Sequence, residues 1–150
     1  MQFQRQYILR DLFKACCGFA TSECGFLQEQ HNDDKNIISG EEQVIDRILP
    51  VASGFWGCGM FGNDKYLKVI QSWIAATACA RPLVCIHTFS PDDLRIEEAF
   101  NAKIVPVIVK GAVKLGELVN ALIEEFPKAK RVEPSLNLFD FINQMFSQKL

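Results

Sequence analysis

Four of the chain's nine glycines stand within nine residues, at Gly54, Gly57, Gly59 and Gly62, with Phe55, Trp56, Cys58, Met60 and Phe61 among them. Glycine admits positive φ and lets a ligand approach the main chain with no Cβ in the way. A loop of this composition, running from a strand end into a helix start, aims several N–H groups at one place. The helix adds about half a positive charge there. The chemistry that such a seat serves is phosphate or diphosphate binding. The competing reading is a tight turn whose glycines serve packing alone. Against it stand Trp56, Met60 and Phe61, large apolar groups better used as walls of a ligand cleft than as solvated tips.

The stretch Gly57-Cys58-Gly59-Met60-Phe61-Gly62 also spells G-x-G-x-x-G, the phosphate turn of dinucleotide-binding folds. That reading needs an acid at the end of the next strand for the ribose hydroxyls. The next strand-like run ends His87-Thr88-Phe89-Ser90, with no acid, and Asp92 belongs to a following helix start. A hydride-transferring enzyme is therefore the lesser alternative.

The six cysteines, Cys16, Cys17, Cys24, Cys58, Cys79 and Cys85, contain no C-x-x-C pair, and neither His31 nor His87 has metal-ligand spacing. Cys79 falls in an alanine-rich helical stretch and Cys85 in a strand-like run, where thiols serve as small buried hydrophobes. No disulfide framework, metal or cofactor is expected, and an intracellular compartment is favoured.

The elements that must position the loop are legible from periodicity. Phe3, Tyr7, Leu9, Leu12 and Phe13 recur at helical spacing, with Gly18 as the expected stop. Residues 21–43 are polar and read as a surface loop. Val44–Ala52 reads as a strand that Pro50 confines to an edge, a bulge or a strand end. Asn63-Asp64 offers a cap to a helix over Lys65–Ala80 that buries Leu67, Ile70, Trp73 and Ile74. Leu83–Phe89 is a nearly continuous apolar run, the pattern of a buried parallel strand. Ser90-Pro91 opens a helix to about Phe100. Composition makes Ile104–Val109 a third strand, and Leu115–Phe126 and Leu136–Phe146 complete the chain as helices. The order strand–loop–helix–strand–helix is that of a layered α/β unit with parallel pairing.

A chain of 150 residues, about half of them apolar, suits one domain over 1–150 with one core. The net charge of -2 supplies no global basic field, so anion binding must be local and direct nucleic-acid binding is not expected. Arg5, Arg10, Asp11 and Lys14 interrupt the apolar stretches of the first seventeen residues, so no signal peptide forms. No uncharged apolar run is long enough to span a membrane.

Val51-Ala52-Ser53-Gly54-Phe55-Trp56-Gly57-Cys58-Gly59-Met60-Phe61-Gly62-Asn63-Asp64 resembles the V-A-T-G-N-W-G-C-G-A-F-G-G-D segment of poly(ADP-ribose) glycohydrolases. Leu12–Phe19 is similar to that family's L-N-K-A-Y-C-G-F, Leu67–Ala78 to its L-K-A-L-I-Q-I-L-A-A-A-A helix, His87-Thr88-Phe89 to its F-T-F strand end, and Lys114–Leu118 to its L-T-V-G-D-V helix start. The resemblance implies the C-terminal portion of a glycohydrolase catalytic domain. Its fold would be a partial macrodomain-like three-layer unit, a short, mostly parallel sheet flanked by helices. The implied ligand is ADP-ribose or poly(ADP-ribose), with nucleus or cytoplasm as the setting. By match, Gly54, Trp56, Gly57, Cys58, Gly59 and Met60 would line the diphosphate with main-chain N–H groups, and Phe61 would lie near the ribose beside the scissile bond. Phe89 would wall the adenine, where stacking gives about 1–3 kcal/mol. Plain core packing is the equal alternative for Phe89.

Two departures bear on activity. Phe55 stands where the family has asparagine, which removes a polar group and adds bulk at the cleft. The family's G-G-G run followed by Q-E-E, whose second glutamate protonates the leaving ribose oxygen during glycosidic hydrolysis, has no counterpart. Gln28-Glu29-Gln30 is the nearest imitation, and its last position is an amide that cannot donate that proton. No catalytic residue is assigned. The expectation is therefore a glycohydrolase-like chain that keeps the diphosphate loop and lacks turnover by itself, either a fragment or a shortened relative. It would have either a missing N-terminal half of the domain as its partner or poor stability alone. A non-catalytic ADP-ribose-binding module is one alternative, and a structural remnant is the other.

Overall fold

A computed structural model describes residues 2–20, 50–88 and 90–149. The expected surface loop, the first part of the Val44–Ala52 strand, the Gln28-Glu29-Gln30 triplet, Cys24, His31 and Phe89 lie outside the described residues.

Helix α1 spans Arg5–Phe19 and buries Ile8, Asp11, Leu12 and Ala15. Gly18 does not stop it. The helix runs one residue further, and its last turn closes through Ala20 N–H donating to Cys16 O at 2.8 Å. An exposed glycine in a helix costs only about 1 kcal/mol. The Arg81 guanidinium recovers part of that by donating to Phe19 O at 2.7 Å, a cation at a helix C-terminus.

Strand β1, Val51–Gly54, pairs in parallel with β2, Leu83–His87. Between them runs α2, Lys65–Ala78, started by the Asp64 carboxylate accepting from Leu67 N–H at 2.8 Å. The β–α–β order and parallel pairing match the reading from sequence. One face of the pair carries Ser53, whose hydroxyl lies 3.4 Å from that of Ser72 on α2. The other carries Ala52, Cys85 and His87, all exposed. So β2 is not the fully buried strand that its apolar run predicts. Cys85 is exposed and Cys79 half-buried, where both were expected in the core. Among the described residues helices cover only one side of this sheet, and the α/β unit is partial.

The third expected strand is a helix. After a 3-10 turn at Pro91–Asp93, α3 covers Leu94–Ala99, a π-helical turn covers Phe100–Ile104, and α4 covers Val105–Lys110. Ile96, Phe100, Ile104 and Val107 recur at helical spacing and meet the core, with Ile104 and Val107 almost wholly buried. That burial overrides the β preference of Ile104-Val105 and Val107-Ile108-Val109. The same pattern recurs downstream: α5, Leu115–Asn120, passes through a π turn at Ala121–Glu125 into α6, Phe126–Val132. In each case the wide turn ends two residues before a proline, Pro106 or Pro127. A proline inside a helix lacks an N–H and crowds the preceding turn, and a π bulge opens the ladder where that would occur. Helix α7, Leu138–Phe146, closes the core, with the Asn137 side chain accepting from Phe139 N–H at 2.8 Å. Phe139 packs edge-on to Tyr66 at 4.8 Å and against Phe100 at 5.8 Å, joining α7 to α2 and to the α3–α4 rod.

Two alanines occupy left-handed backbone, Ala80 at φ 53 and Ala112 at φ 47. Each follows a helix as the C′ residue of a paired closure. Arg81 N–H donates to Ala76 O and Ala80 N–H to Thr77 O, while Val113 N–H donates to Ile108 O and Ala112 N–H to Val109 O. A side chain in this conformation costs about 1–2 kcal/mol that glycine avoids. Ala80→Gly and Ala112→Gly should each raise unfolding stability by up to about 1 kcal/mol, net of the greater freedom of an unfolded glycine. Urea melts of the two variants check this, and a fall in midpoint would contradict it.

Candidate functional site

The glycine loop leaves β1 at Gly54, which pairs in register with His87. It then folds on itself. Trp56 N–H donates to Gly54 O, Cys58 N–H to Phe55 O, Gly62 N–H to Gly59 O and Asn63 N–H to Gly57 O, all between 2.9 and 3.1 Å. Gly57 and Gly62 sit at φ 77 and 57, so these two glycines are required by the backbone. A Cβ at Gly57 would also strike the Asn63 side-chain amide. Gly59 has ordinary φ and nothing within 4 Å of an added Cβ. Among the described residues, the N–H groups of Gly57, Gly59, Met60 and Phe61 have no acceptor.

The start of α2 is less available to an anion than its dipole implies. The Asp64 carboxylate already caps it, and Asp64 N–H donates to the Gln2 side chain at 2.7 Å. What the loop offers is its own main chain.

Two lysines from the first turns of α2 hold the loop's leading aromatics, and residue-by-residue reading of the motif does not reveal them. The Lys68 ammonium lies 3.5 Å from the centre of the Trp56 ring and 2.6 Å from the Asp11 carboxylate of α1. Lys68 is 1% exposed. The Lys65 ammonium lies 5.4 Å from the Phe55 ring and pairs with buried Asp93. Asp93 also accepts from Ser90 N–H at 3.3 Å. A signal was available in the sequence: cations in the first turns of a helix oppose its dipole and call for a nearby carboxylate.

Burial works to raise the Asp11 pKa, but hydrogen bonds from Lys68 and Arg10 outweigh it and hold the carboxyl below its ordinary value. Burial pulls the Lys68 pKa down against the opposing pull of Asp11. The acid's downward shift is the direction that fits a 2.6 Å contact, so the pair is ionised at neutral pH. Burial pushes the Cys58 thiol up, and its side chain packs against the core. Cys58 is thus a packing group in the loop and a poor nucleophile.

The remaining expected site residues divide. Phe55, the departure from the family's asparagine, is buried and not a solvated tip of the loop. Met60 and Phe61 are 96% and 81% exposed, so among the described residues they wall no cavity. A cleft of about 280 Å³ lies beside the loop and shares only Phe55 with it. Its walls include Ile86, Ile96 and Phe100, with Thr88, Glu97 and Asn101 as polar groups. Among the described residues no three His, Cys, Asp or Glu side chains gather as metal ligands, and no helix is long and apolar enough to cross a membrane.

Residues 1–95 match the family described as Poly (ADP-ribose) glycohydrolase (PARG), Macro domain fold. The chain is 30% identical to poly(ADP-ribose) glycohydrolase 1 of Arabidopsis thaliana over 92 residues, 61% of this chain and 16% of that protein. It is 30% identical to probable poly(ADP-ribose) glycohydrolase 2 of the same plant over 79 residues, 53% of this chain and 14% of that protein. Against poly(ADP-ribose) glycohydrolase 1 of Caenorhabditis elegans the figures are 32% over 82 residues, 55% and 8%. The chain therefore spans a small part of the length of these curated relatives.

The Asp11–Lys68 pair makes stability acid-sensitive. A carboxyl whose folded pKa is depressed contributes stability that is complete above its unfolded value, about 3.9, and is lost as pH falls through the folded one. Asp11→Asn should abolish that acid slope and cost about 3–5 kcal/mol at neutral pH, because it strands a buried ammonium. Adding Lys68→Met should recover most of the loss. Denaturation midpoints measured from pH 7 downward decide this. A double variant no more stable than the single one would contradict it.

Proposed function

We propose that this chain, which belongs to the poly(ADP-ribose) glycohydrolase family, serves as the phosphate-cradling C-terminal part of such a catalytic domain. It binds an ADP-ribose unit through its diphosphate, and it does not by itself hydrolyse the ribose–ribose O-glycosidic bonds of poly(ADP-ribose). The observation that carries this is the loop Phe55–Gly62. It is clamped from below by two paired lysines while four of its N–H groups remain without acceptors among the described residues. A diphosphate has the charge and the lone pairs to take several such donors at once.

Turnover by this chain is disfavoured by its sequence. No G-G-G is present, and Gln28-Glu29-Gln30 lacks the second acid. A buried, proton-donating carboxyl has to come from elsewhere. The open face of the two-stranded sheet at Ala52, Cys85 and His87 supports a polypeptide partner that covers it and supplies that acid. On the same reading the protein works in the nucleus or cytoplasm. The cleft beside Phe55 and Thr88 adjoins the strand end and is available to the nucleoside side of the ligand.

Gly59→Val separates ligand binding from folding. The position has open space and needs no positive φ, so the variant should keep its stability within about 0.5 kcal/mol. The new side chain covers the open amides, and calorimetry with ADP-ribose should show at least a tenfold loss of affinity, about 1.4 kcal/mol. Gly57→Val should instead destabilise the loop by about 1–3 kcal/mol. Intact ADP-ribose affinity in Gly59→Val would refute the cradle. Release of ADP-ribose from polymer by the chain alone, lost on Glu29→Ala, would refute the non-catalytic assignment.

A further inference from the structure

A second groove lies between the first turn of α1 and the junction of the π turn with α6. It is about 420 Å³ in volume and is lined by Gln4, Arg5, Gln6 and, from the other side, mainly Glu124, Lys128 and Arg131. We propose that it is a second anion-binding surface, one that takes a phosphate group of the adjoining unit when the bound ligand is an ADP-ribose polymer. The proposal rests on the diphosphate reading of the glycine loop.

Charge is the first support. The whole chain carries a net charge of -2, yet three cations face this one groove. Arg5 pairs with Glu124 at 2.7 Å and Lys128 with Glu125 at 3.0 Å, all four side chains being partly exposed. Exposed pairs of this kind are weak and exchange readily for a stronger anion. Arg131 is exposed and has no partner among the described residues. Two guanidinium groups in one groove offer forked donors matched to phosphate oxygens. The Gln4 and Gln6 amides, 3.5 Å apart, add neutral donors.

Connection is the second support. Gln2 is fixed to the end of the glycine loop by its bond from Asp64 N–H, and Gln4 already lines the groove. The segment Gln2–Gln4 thus runs from the end of the glycine loop to the groove, the path that successive units of one polymer would follow on this proposal. Phe3 is held in this segment by Phe126 at 5.5 Å and by the Lys130 ammonium at 5.2 Å, which fixes the path between them.

The test compares the full chain with Lys128→Gln/Arg131→Gln, two exposed positions whose change leaves the core untouched. Binding of monomeric ADP-ribose and of a defined-length ADP-ribose polymer is measured by calorimetry over a series of salt concentrations. Native chain should bind polymer more tightly than monomer. The double variant should bind monomer as before and polymer roughly tenfold more weakly. Its salt slope should be shallower by about 0.7, the share of the one phosphate no longer neutralised. Equal affinity of native chain for polymer and monomer, or an unchanged polymer slope in the variant, would overturn the groove and leave the glycine-loop reading standing. Loss of monomer binding in the variant would also overturn it as a separate surface. No binding of either ligand to native chain would bring down the glycine-loop reading, and this inference with it. Single-stranded RNA competing as well as polymer for native chain would mark a general polyanion surface and overturn the assignment to ADP-ribose polymer.

Discussion

The ammonium of Lys68 is held where α1, α2 and the glycine loop meet, between the Asp11 carboxylate at 2.6 Å and the Trp56 ring at 3.5 Å. A lone charge in such a place would be prohibitively costly, so the position of each neighbour is constrained by the need to satisfy it. Asp11 must face α2, which fixes the rotation of α1. Trp56 must lie over the ammonium, which fixes the first half of the loop. Lys65, one turn earlier, repeats the arrangement with Asp93 and Phe55 and ties the same loop to the start of the α3–α4 rod. The loop is therefore anchored from below by charge, and its upper side is left to its own main chain.

The glycines divide along that line. Gly57 and Gly62 are needed by the fold, since both adopt left-handed backbone. Gly59 is not, because its φ is ordinary and its surroundings are open. Gly59 is thus a glycine that the fold does not require, beside N–H groups that the described residues leave without acceptors. The segment 57–61 carries both features. Asp64, by capping α2, already occupies the helix end.

The sheet is built differently. Two parallel strands with helices against one face leave Ala52, Cys85 and His87 open, although β2 has the apolar content of a buried strand. The helical layer, by contrast, is closely filled: Phe100, Phe139 and Tyr66 interlock, and the π turns before Pro106 and Pro127 let two long rods continue where an ordinary helix would break. Among the described residues the helical core is closely packed and the sheet has one open face.

Local chemistry made much of this legible in the residues themselves. The run Gly54–Gly62 announced a backbone-lined loop, Asp64 a helix cap, and Leu83–Phe89 a parallel strand, because each depends on neighbours a few positions away. The family was legible too, since W-G-C-G-x-F-G is a long and improbable string. Ile104–Val109 was misleading: its β-branched residues favour a strand in isolation, and only the fit of Ile104 and Val107 into the core made it a helix. The exposure of Cys85 and the burial of Phe55 depended likewise on which faces other elements cover. The pairing of Lys68 with Asp11, 57 positions away, was decided by tertiary structure alone. Sequence patterns carry the periodicity of single elements, whereas the partner of a buried charge is set by how those elements pack.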